Sequence, residues 1–245
     1  MKTLGIIGGI APESTVDYYR SIIALYRQRT GDGSYPPLLI NSIDLTKMLG
    51  FIGAGDLAGT AAYLTGEVIK LARAGADFGL LASNTPHIVF EEIQQQSSIP
   101  LISIVESVCR AAQVLALKKV GLFGTRFTMQ GHFYPRVFSQ HGITVCIPDP
   151  EEQDLIHDKY MNELVSGIFQ DVTRQRFLAI ADRLIKQEGI QGLILGGTEL
   201  PFIMRDVLDR NIPFLDTTKI HVEAAVEVML SDSEPSIATL SQPPP

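Results

Sequence analysis

The sequence lacks the features by which many protein classes are identified at sight. Only two of its 245 residues are cysteines, Cys109 and Cys146. So few thiols argue against a disulfide-stapled secreted domain and fit a reducing cytoplasm, where we expect both to be buried apolar groups. No apolar run reaches the length of a membrane-spanning helix. Glu13 interrupts the first apolar stretch too early for a signal peptide, so we expect a cytoplasmic protein.

Positive charge is also in short supply. The chain has 20 Lys and Arg against 27 Asp and Glu, a net charge of -7, and an isoelectric point near 5.2. This balance argues against nucleic acid and anionic membrane surfaces as partners. It does not exclude a small acidic ligand, because a local pocket can be positive in an acidic protein.

Motifs for the common metals and cofactors are missing. The histidines are scattered, at positions 87, 132, 141, 157 and 221, and show no zinc-like spacing. The glycines of Gly5-Ile6-Ile7-Gly8-Gly9 do not have the G-x-G-x-x-G spacing of dinucleotide-binding loops, and no Walker pattern occurs. We therefore expect no metal and no cofactor.

What the sequence does contain is an alternation of short apolar segments with segments of helical periodicity. Strands are predicted over residues 4–8, 38–43, 78–82 and 101–105, and helices over 13–28 and 57–74. Gly75 ends the second helix. Continuous apolar strands alternating with helices predict an α/β fold with a mostly parallel sheet covered by helices on both faces.

The second half of the chain repeats this plan. Segment 120–124 matches segment 4–8 at an offset of 116 residues, and Gly189 matches Gly75 at an offset of 114. Ile212-Pro213 matches Ile99-Pro100 at an offset of 113. Near-constant offsets predict two similar lobes related by internal duplication, with a pseudo-two-fold relation.

We place the first lobe at residues 1–98 plus about 212–230, and the second at 99–211. Residues 231–245 have no periodic pattern and end in three prolines, so we expect a disordered tail.

Four loops join a strand to the start of a helix, at residues 8–14, 83–87, 124–128 and 196–199. Ligands of open α/β sheets bind beyond the carboxyl ends of the strands. Backbone N–H groups and the helix dipole favour carboxylates there. Asn84, Thr85, Thr125 and Thr198 would add side-chain donors, although these residue types also cap helices.

These loops resemble the aspartate/glutamate racemase family, the cofactor-independent amino-acid racemases. The likeness runs from Leu4 to about Met229, and its matching stretches are Gly8-Gly9 with Glu13-Ser14-Thr15, Asn84-Thr85-Pro86-His87, Gly124-Thr125-Arg126-Phe127-Thr128-Met129, Gly196-Gly197-Thr198-Glu199, and Asp216-Thr217 with His221. The resemblance implies two α/β lobes with the active site between them. It also implies a small acidic amino acid or related carboxylate as ligand, and a homodimer.

The resemblance also implies a pair of catalytic cysteines, one per lobe, that move the α-proton from one face of the substrate to the other. Here their positions are occupied by Ser83 and Gly197, while Cys109 and Cys146 lie outside both motifs. A two-cysteine mechanism is therefore not possible. A serine hydroxyl is far less acidic than a thiol and needs a partner to act as a base. A glycine supplies only backbone and space.

Three hypotheses stay open. The first is a racemase or epimerase with substitute groups: Ser83 on one side and Glu199, His87 or a water in the space at Gly197 on the other. The second is a lyase or decarboxylase on the same scaffold, with charge stabilised by helix N-termini. The third is a non-catalytic binder of a small acidic ligand. The candidate substrate-binding residues are Gly8, Gly9, Ser14, Asn84, Thr85, Thr125, Thr198 and Lys159, with Arg126 as a further carboxylate partner.

Overall fold

The computed structural model describes residues 1–204 and 211–231. Within it the chain divides into two compact units. Unit 1 comprises Met1–Ser107 and the segment that begins at Thr218, and unit 2 comprises Val108–Thr217. Each unit has its own four-stranded parallel sheet with helices on both faces.

The two sheets have the same topology. In chain order the strands are β1 (Leu4–Gly8), β2 (Leu38–Ser42), β3 (Phe78–Leu81), β4 (Leu101–Ile102), β5 (Lys119–Gly124), β6 (Thr144–Cys146), β7 (Gly192–Gly196) and β8 (Phe214–Asp216). The strand order is β2-β1-β3-β4 in unit 1 and β6-β5-β7-β8 in unit 2, and every pairing is parallel. The predicted α/β class and the repeated plan are confirmed.

The helices follow the strands as expected for parallel sheets. They are α1 (Pro12–Thr30), α2 (Leu45–Gly53), α3 (Leu57–Arg73), α4 (Phe90–Gln96), α5 (Ile104–Val114), α6 (Arg126–Gln130), α7 (Phe133–Gln140), α8 (Pro150–Asn162), α9 (Asp171–Arg183), α10 (Leu200–Ile203) and α11 (Thr217–Leu230). Two 3₁₀ turns, Thr85–Val89 and Leu164–Ser166, and a π-helical turn, Leu184–Glu188, lie among them.

The central strands are apolar throughout because both of their faces are buried. Every residue of β1, β3 and β7 is buried, whereas the edge strands β2 and β6 are partly exposed. Strands covered on both faces need side chains that are apolar throughout, and this is why their sequences show no alternation.

The fourth strand of unit 1 is shorter than the sequence predicts. β4 ends at Ile102 instead of continuing to Val105, because Ser103 caps the helix that follows. The Glu106 N–H donates to Ser103 Oγ at 3.2 Å, and the Ser107 hydroxyl donates to the Ser103 carbonyl at 2.8 Å. Helix α5 therefore begins at Ile104.

Sheet pairing also moves the lobe boundaries. β4 pairs with β3 and β8 pairs with β7, so each sheet keeps its own fourth strand. The boundaries lie at 107/108 and 217/218 rather than at 98/99 and 211/212. Helix α11 returns to unit 1, where Val222, Val226 and Met229 join its core. Apart from Ser231, the tail over residues 231–245 lies outside the described residues.

Candidate functional site: the strand-end loops of the two units

Ser83 follows β3 closely, in a short loop that leads into the 3₁₀ turn Thr85–Val89. The Ser83 N–H donates to the Leu81 carbonyl at 2.8 Å, which turns the chain sharply at the strand end. Asn84 and Thr85 are buried next to it. Within the described part of the chain, no hydrogen bond engages the Ser83 hydroxyl. The structure therefore brings the predicted Ser-Asn-Thr group together at the carboxyl end of a central strand.

His87 braces this loop through both of its ring nitrogens. Nε2 accepts from the Ile104 N–H at 3.1 Å, so the ring proton is on Nδ1, which donates to the Ser83 carbonyl at 3.0 Å. The ring stacks on Phe90. Burial, with a contribution from His221, lowers the pKa of His87 to about 3. A neutral imidazole with both nitrogens bound to backbone favours a positioning role for His87 over proton transfer.

A second buried histidine lies beneath the same strand ends. His221 Nε2 bonds to the Ile102 carbonyl at 3.0 Å, and Nδ1 bonds to the Tyr18 hydroxyl at 2.9 Å. Since a carbonyl only accepts, Nε2 carries the proton and Nδ1 accepts from Tyr18. Burial lowers the pKa of His221 to about 4. The two neutral histidines thus tie β3 and β4 of unit 1 to helices on either side.

The glycines at the end of β1 have a packing explanation. Gly9 has a left-handed φ of 82°, and its N–H donates to Thr15 Oγ1 at 2.8 Å. A Cβ built on Gly8 would lie 2.8 Å from Thr15 Oγ1, and one on Gly9 would lie 2.8 Å from the Ile43 nitrogen. Close packing of this loop therefore requires glycine at both positions. Ser14 is buried at the start of α1. Ligand binding by Gly8, Gly9 and Ser14 stays a prediction.

Gly197, at the end of β7, does not leave an open space. A Cβ built on it would lie 2.9 Å from both Cζ and the hydroxyl oxygen of Tyr160. The Tyr160 ring, which reaches this point from α8, therefore takes the volume of any side chain at position 197. A water in that space was one expectation from the sequence; the ring occupies the space instead.

Glu199 lies in the same cluster. The Tyr160 hydroxyl donates to Glu199 Oε2 in a short hydrogen bond, and Thr198 Oγ1 donates to the same oxygen at 2.9 Å. Tyr160 is 6% exposed and Glu199 is 3% exposed. Burial and then the Glu199 charge raise the pKa of Tyr160 well above its usual range, so the phenol stays protonated.

The remaining candidates in unit 2 have structural partners. Thr125 caps α6, since its Oγ1 accepts from the Thr128 N–H at 3.2 Å. The Lys159 ammonium donates to Glu163 Oε1 at 2.6 Å, one helical turn further along the chain. Arg126 pairs with Asp154 at 2.7 Å, and both side chains are exposed. Ligand binding by these residues stays a prediction.

Tyr160 is a residue of this candidate site that the sequence reasoning missed. The stretch that contains it drew attention to its neighbour Lys159. The buried residues of α8 are Gln153, Ile156 and Tyr160, which follow helical spacing. That periodicity turns Tyr160 inward and Lys159 away from the core, and it was readable from the sequence.

Metal binding and membrane insertion each require a recognisable structural feature. No group of three or more His, Cys, Asp or Glu in 1–204 and 211–231 is arranged to hold a metal ion. None of the helices in these ranges combines the length and apolarity needed to cross a membrane.

The doubled α/β plan and the strand-end loops agree with what sequence comparison finds. The chain belongs to the Asp/Glu/hydantoin racemase family, whose model matches residues 7–225. The broad specificity amino-acid racemase RacX of Bacillus subtilis is 28% identical over 243 residues, which cover 93% of this chain and 98% of the relative.

Solved structures give the same result. A protein from Yersinia pestis assigned as an Asp/Glu racemase is 32% identical with a TM-score of 0.87, covering 94% of this chain and all of that one. An aspartate racemase homologue from Pyrococcus horikoshii OT3 is also 32% identical, with a TM-score of 0.82 and the same coverage.

Proposed function

We propose that this protein is a cofactor-independent amino-acid racemase or epimerase that exchanges the α-proton of a small acidic amino acid. Family membership supports the reaction class. The observation that carries the proposal is Glu199, a buried carboxylate at the carboxyl end of β7 that is held by the hydroxyls of Tyr160 and Thr198. A buried carboxylate at a strand end is a group able to take a proton from carbon.

Ser83 and Glu199 are assigned the proton-handling roles. Glu199 accepts the α-proton as the Cα–H bond breaks, and the electron pair is delocalised into the substrate carboxylate. The Ser83 hydroxyl then donates its proton to the α-carbon, because a serine at neutral pH is a donor rather than a base. Ser83 regains a proton from water and Glu199 releases its proton to water, so that both groups return to their starting state. Gly197 contributes no group to this chemistry.

Asn84 and Thr85 are assigned to substrate binding with the backbone of Gly8 and Gly9, whereas the Thr198 hydroxyl donates to Glu199. Their amide, hydroxyl and N–H groups suit a ligand that carries carboxylates. The homodimer implied by the resemblance remains a prediction, which light scattering during gel filtration tests directly.

The test is α-hydrogen exchange. Purified protein is incubated in deuterated water with L- and D-aspartate, L- and D-glutamate and a panel of other amino acids, since the Bacillus subtilis relative is named for its broad specificity. We expect loss of the α-proton resonance and formation of the opposite enantiomer. Product analysis on the same samples would reveal a lyase or decarboxylase, and exchange with no member of the panel would contradict the proposal.

Ser83→Ala provides the residue-level test. General acid–base groups contribute about 100-fold or more to rate, so we expect a loss of that size with little change in thermal unfolding. Ser139→Ala, at an exposed serine in α7, is the matched control and should exchange at the wild-type rate. Equal rates for the two variants would remove Ser83 from the mechanism.

A further inference from the structure

Position 197 and the ring of Tyr160 exclude each other sterically. A Cβ on residue 197 would lie 2.9 Å from two atoms of the tyrosine. Real Cβ atoms are essentially never this close to a neighbour, so either the ring or residue 197 would have to shift. The ring cannot readily move away, because Tyr160 belongs to the buried core of unit 2 with Ile156, Leu164 and Phe177. Glycine at 197 is thus the condition for the tyrosine to reach the end of β7.

The Tyr160 hydroxyl lies at the end of β7 and is hydrogen-bonded to the Glu199 carboxylate. The phenol donates to Glu199 Oε2, to which Thr198 also donates. A buried carboxylate keeps its charge only when such donors replace water. A phenylalanine would fill the same space and contribute nothing to that charge.

The surroundings of the pair make Tyr160 a donor rather than a base. Burial is the largest cause of the raised pKa of Tyr160, and the charge of Glu199 is the next. Both keep the proton on the tyrosine. Helix α8 also carries His157 and Lys159. The Lys159 ammonium is engaged by Glu163, and the His157 Nδ1 accepts from the Arg126 N–H at 3.2 Å.

We propose that Tyr160 is a positioning residue for α-proton exchange, and that its hydroxyl holds Glu199 in place as the proton acceptor of unit 2. The inference rests on the proposed function. In the forward step the Cα–H bond breaks and the proton moves to the Glu199 carboxylate, while the electron pair stays on the substrate. In the reverse step the proton returns from Glu199 to carbon. The Tyr160 hydroxyl keeps its own proton throughout.

The experiment compares kcat and KM of Tyr160→Phe, Thr198→Val and Glu199→Gln with those of wild type in the exchange assay. Tyr134→Phe is the matched control, because Tyr134 is another buried tyrosine of unit 2 and packs among Phe133 and Phe138. Thermal unfolding is recorded for each variant. Thr198→Val removes a second donor to the same oxygen and tests the inference independently if Tyr160→Phe folds poorly.

We expect Glu199→Gln to lose exchange by about 100-fold or more. Tyr160→Phe should lower kcat by about tenfold with little change in KM, because the carboxylate loses a donor that orients it. Thr198→Val should lower kcat in the same way. Tyr134→Phe should reproduce the wild-type kcat and KM.

The failures are distinguishable. If wild type exchanges protons but Tyr160→Phe and Thr198→Val both match Tyr134→Phe in kcat and KM, the positioning role is overturned and the proposed function stands. Full activity in Glu199→Gln overturns the role as well. If wild type exchanges no α-proton of any amino acid offered, the proposed function itself fails.

Discussion

The loops after β3 and β7 occupy the same place in two sheets of identical strand order, yet they present different chemistry. In unit 1 the loop displays a serine hydroxyl, and the groups behind it are two neutral histidines, His87 bound to backbone and His221 bound to backbone and to the Tyr18 hydroxyl. In unit 2 the loop displays a glycine, and the groups behind it are a phenol and a carboxylate from α8 and the loop itself. Equivalent topology therefore places a site without deciding which side chains act in it.

The two supports also differ in how they tolerate burial. His87 and His221 stay neutral in the folded protein because burial lowers their pKa values. The folded state therefore loses stability when the pH is low enough to protonate these histidines in the unfolded chain. Glu199 instead has two hydroxyl donors on one oxygen. Lowering the pH should therefore destabilise unit 1 before unit 2. Adding a side chain at the strand end should destabilise unit 2 more than unit 1.

The largest expected effect is acid destabilisation of unit 1. The folded-state pKa values of His87, about 3, and His221, about 4, lie below the ordinary 6.5, so the unfolded chain takes up these protons first as pH falls. Their contribution is complete above about pH 6.5 and is lost below it, on the order of 2–3 kcal/mol each by about pH 4.5. Urea unfolding at both pH values measures the loss, and amide exchange should show β1 and β3 opening before β5 and β7.

His87→Gln and His221→Gln should each flatten this pH dependence, whereas His132→Gln, at an exposed histidine, should not. Acid profiles that coincide for all three variants would show that the buried histidines do not govern the acid stability of unit 1.

The next effect in size is at Gly197. Gly197→Ala inserts a methyl group against the Tyr160 ring, so we expect a loss of about 1–3 kcal/mol in the free energy of unfolding. Gly66→Ala is the control, since a Cβ there has no atom within 4 Å and the residue lies in α3, where alanine is favoured. A Gly197→Ala protein as stable as Gly66→Ala would mean that the ring has room to move.

The smallest effect separates capping from binding at Thr125. Thr125→Ala removes the cap of α6 and should cost about 1 kcal/mol, while Thr125→Ser keeps the hydroxyl and should cost less. Chemical denaturation of both variants provides the measurement. The substrate concentration that gives half-maximal exchange is measured for both variants and for Ser83→Ala. A purely capping residue should leave this concentration unchanged. A stable Thr125→Ala variant that binds substrate poorly would assign Thr125 to the ligand instead.

Much of the fold was readable from the sequence, because it rests on local patterns. Strand β1 was predicted at its observed bounds, and α3 was predicted within one residue of its observed end. The end of β4 was predicted wrongly, because a two-residue strand followed by a serine cap and a helix looks like one apolar run in the sequence. The lobe boundaries depended on that strand and on which sheet β8 joins, and pairing between distant segments is not a local pattern.

The sequence by itself determined the doubled α/β plan, the strand-end loops and the absence of a cysteine pair at Ser83 and Gly197. These follow from apolar periodicity, glycine placement and residue identity along the chain. Only the tertiary structure decided that the volume at Gly197 belongs to Tyr160, 37 positions earlier in the chain. The reason is physical: helical spacing turns a side chain toward the core, but which strand end it meets is set by how the helix packs on the sheet.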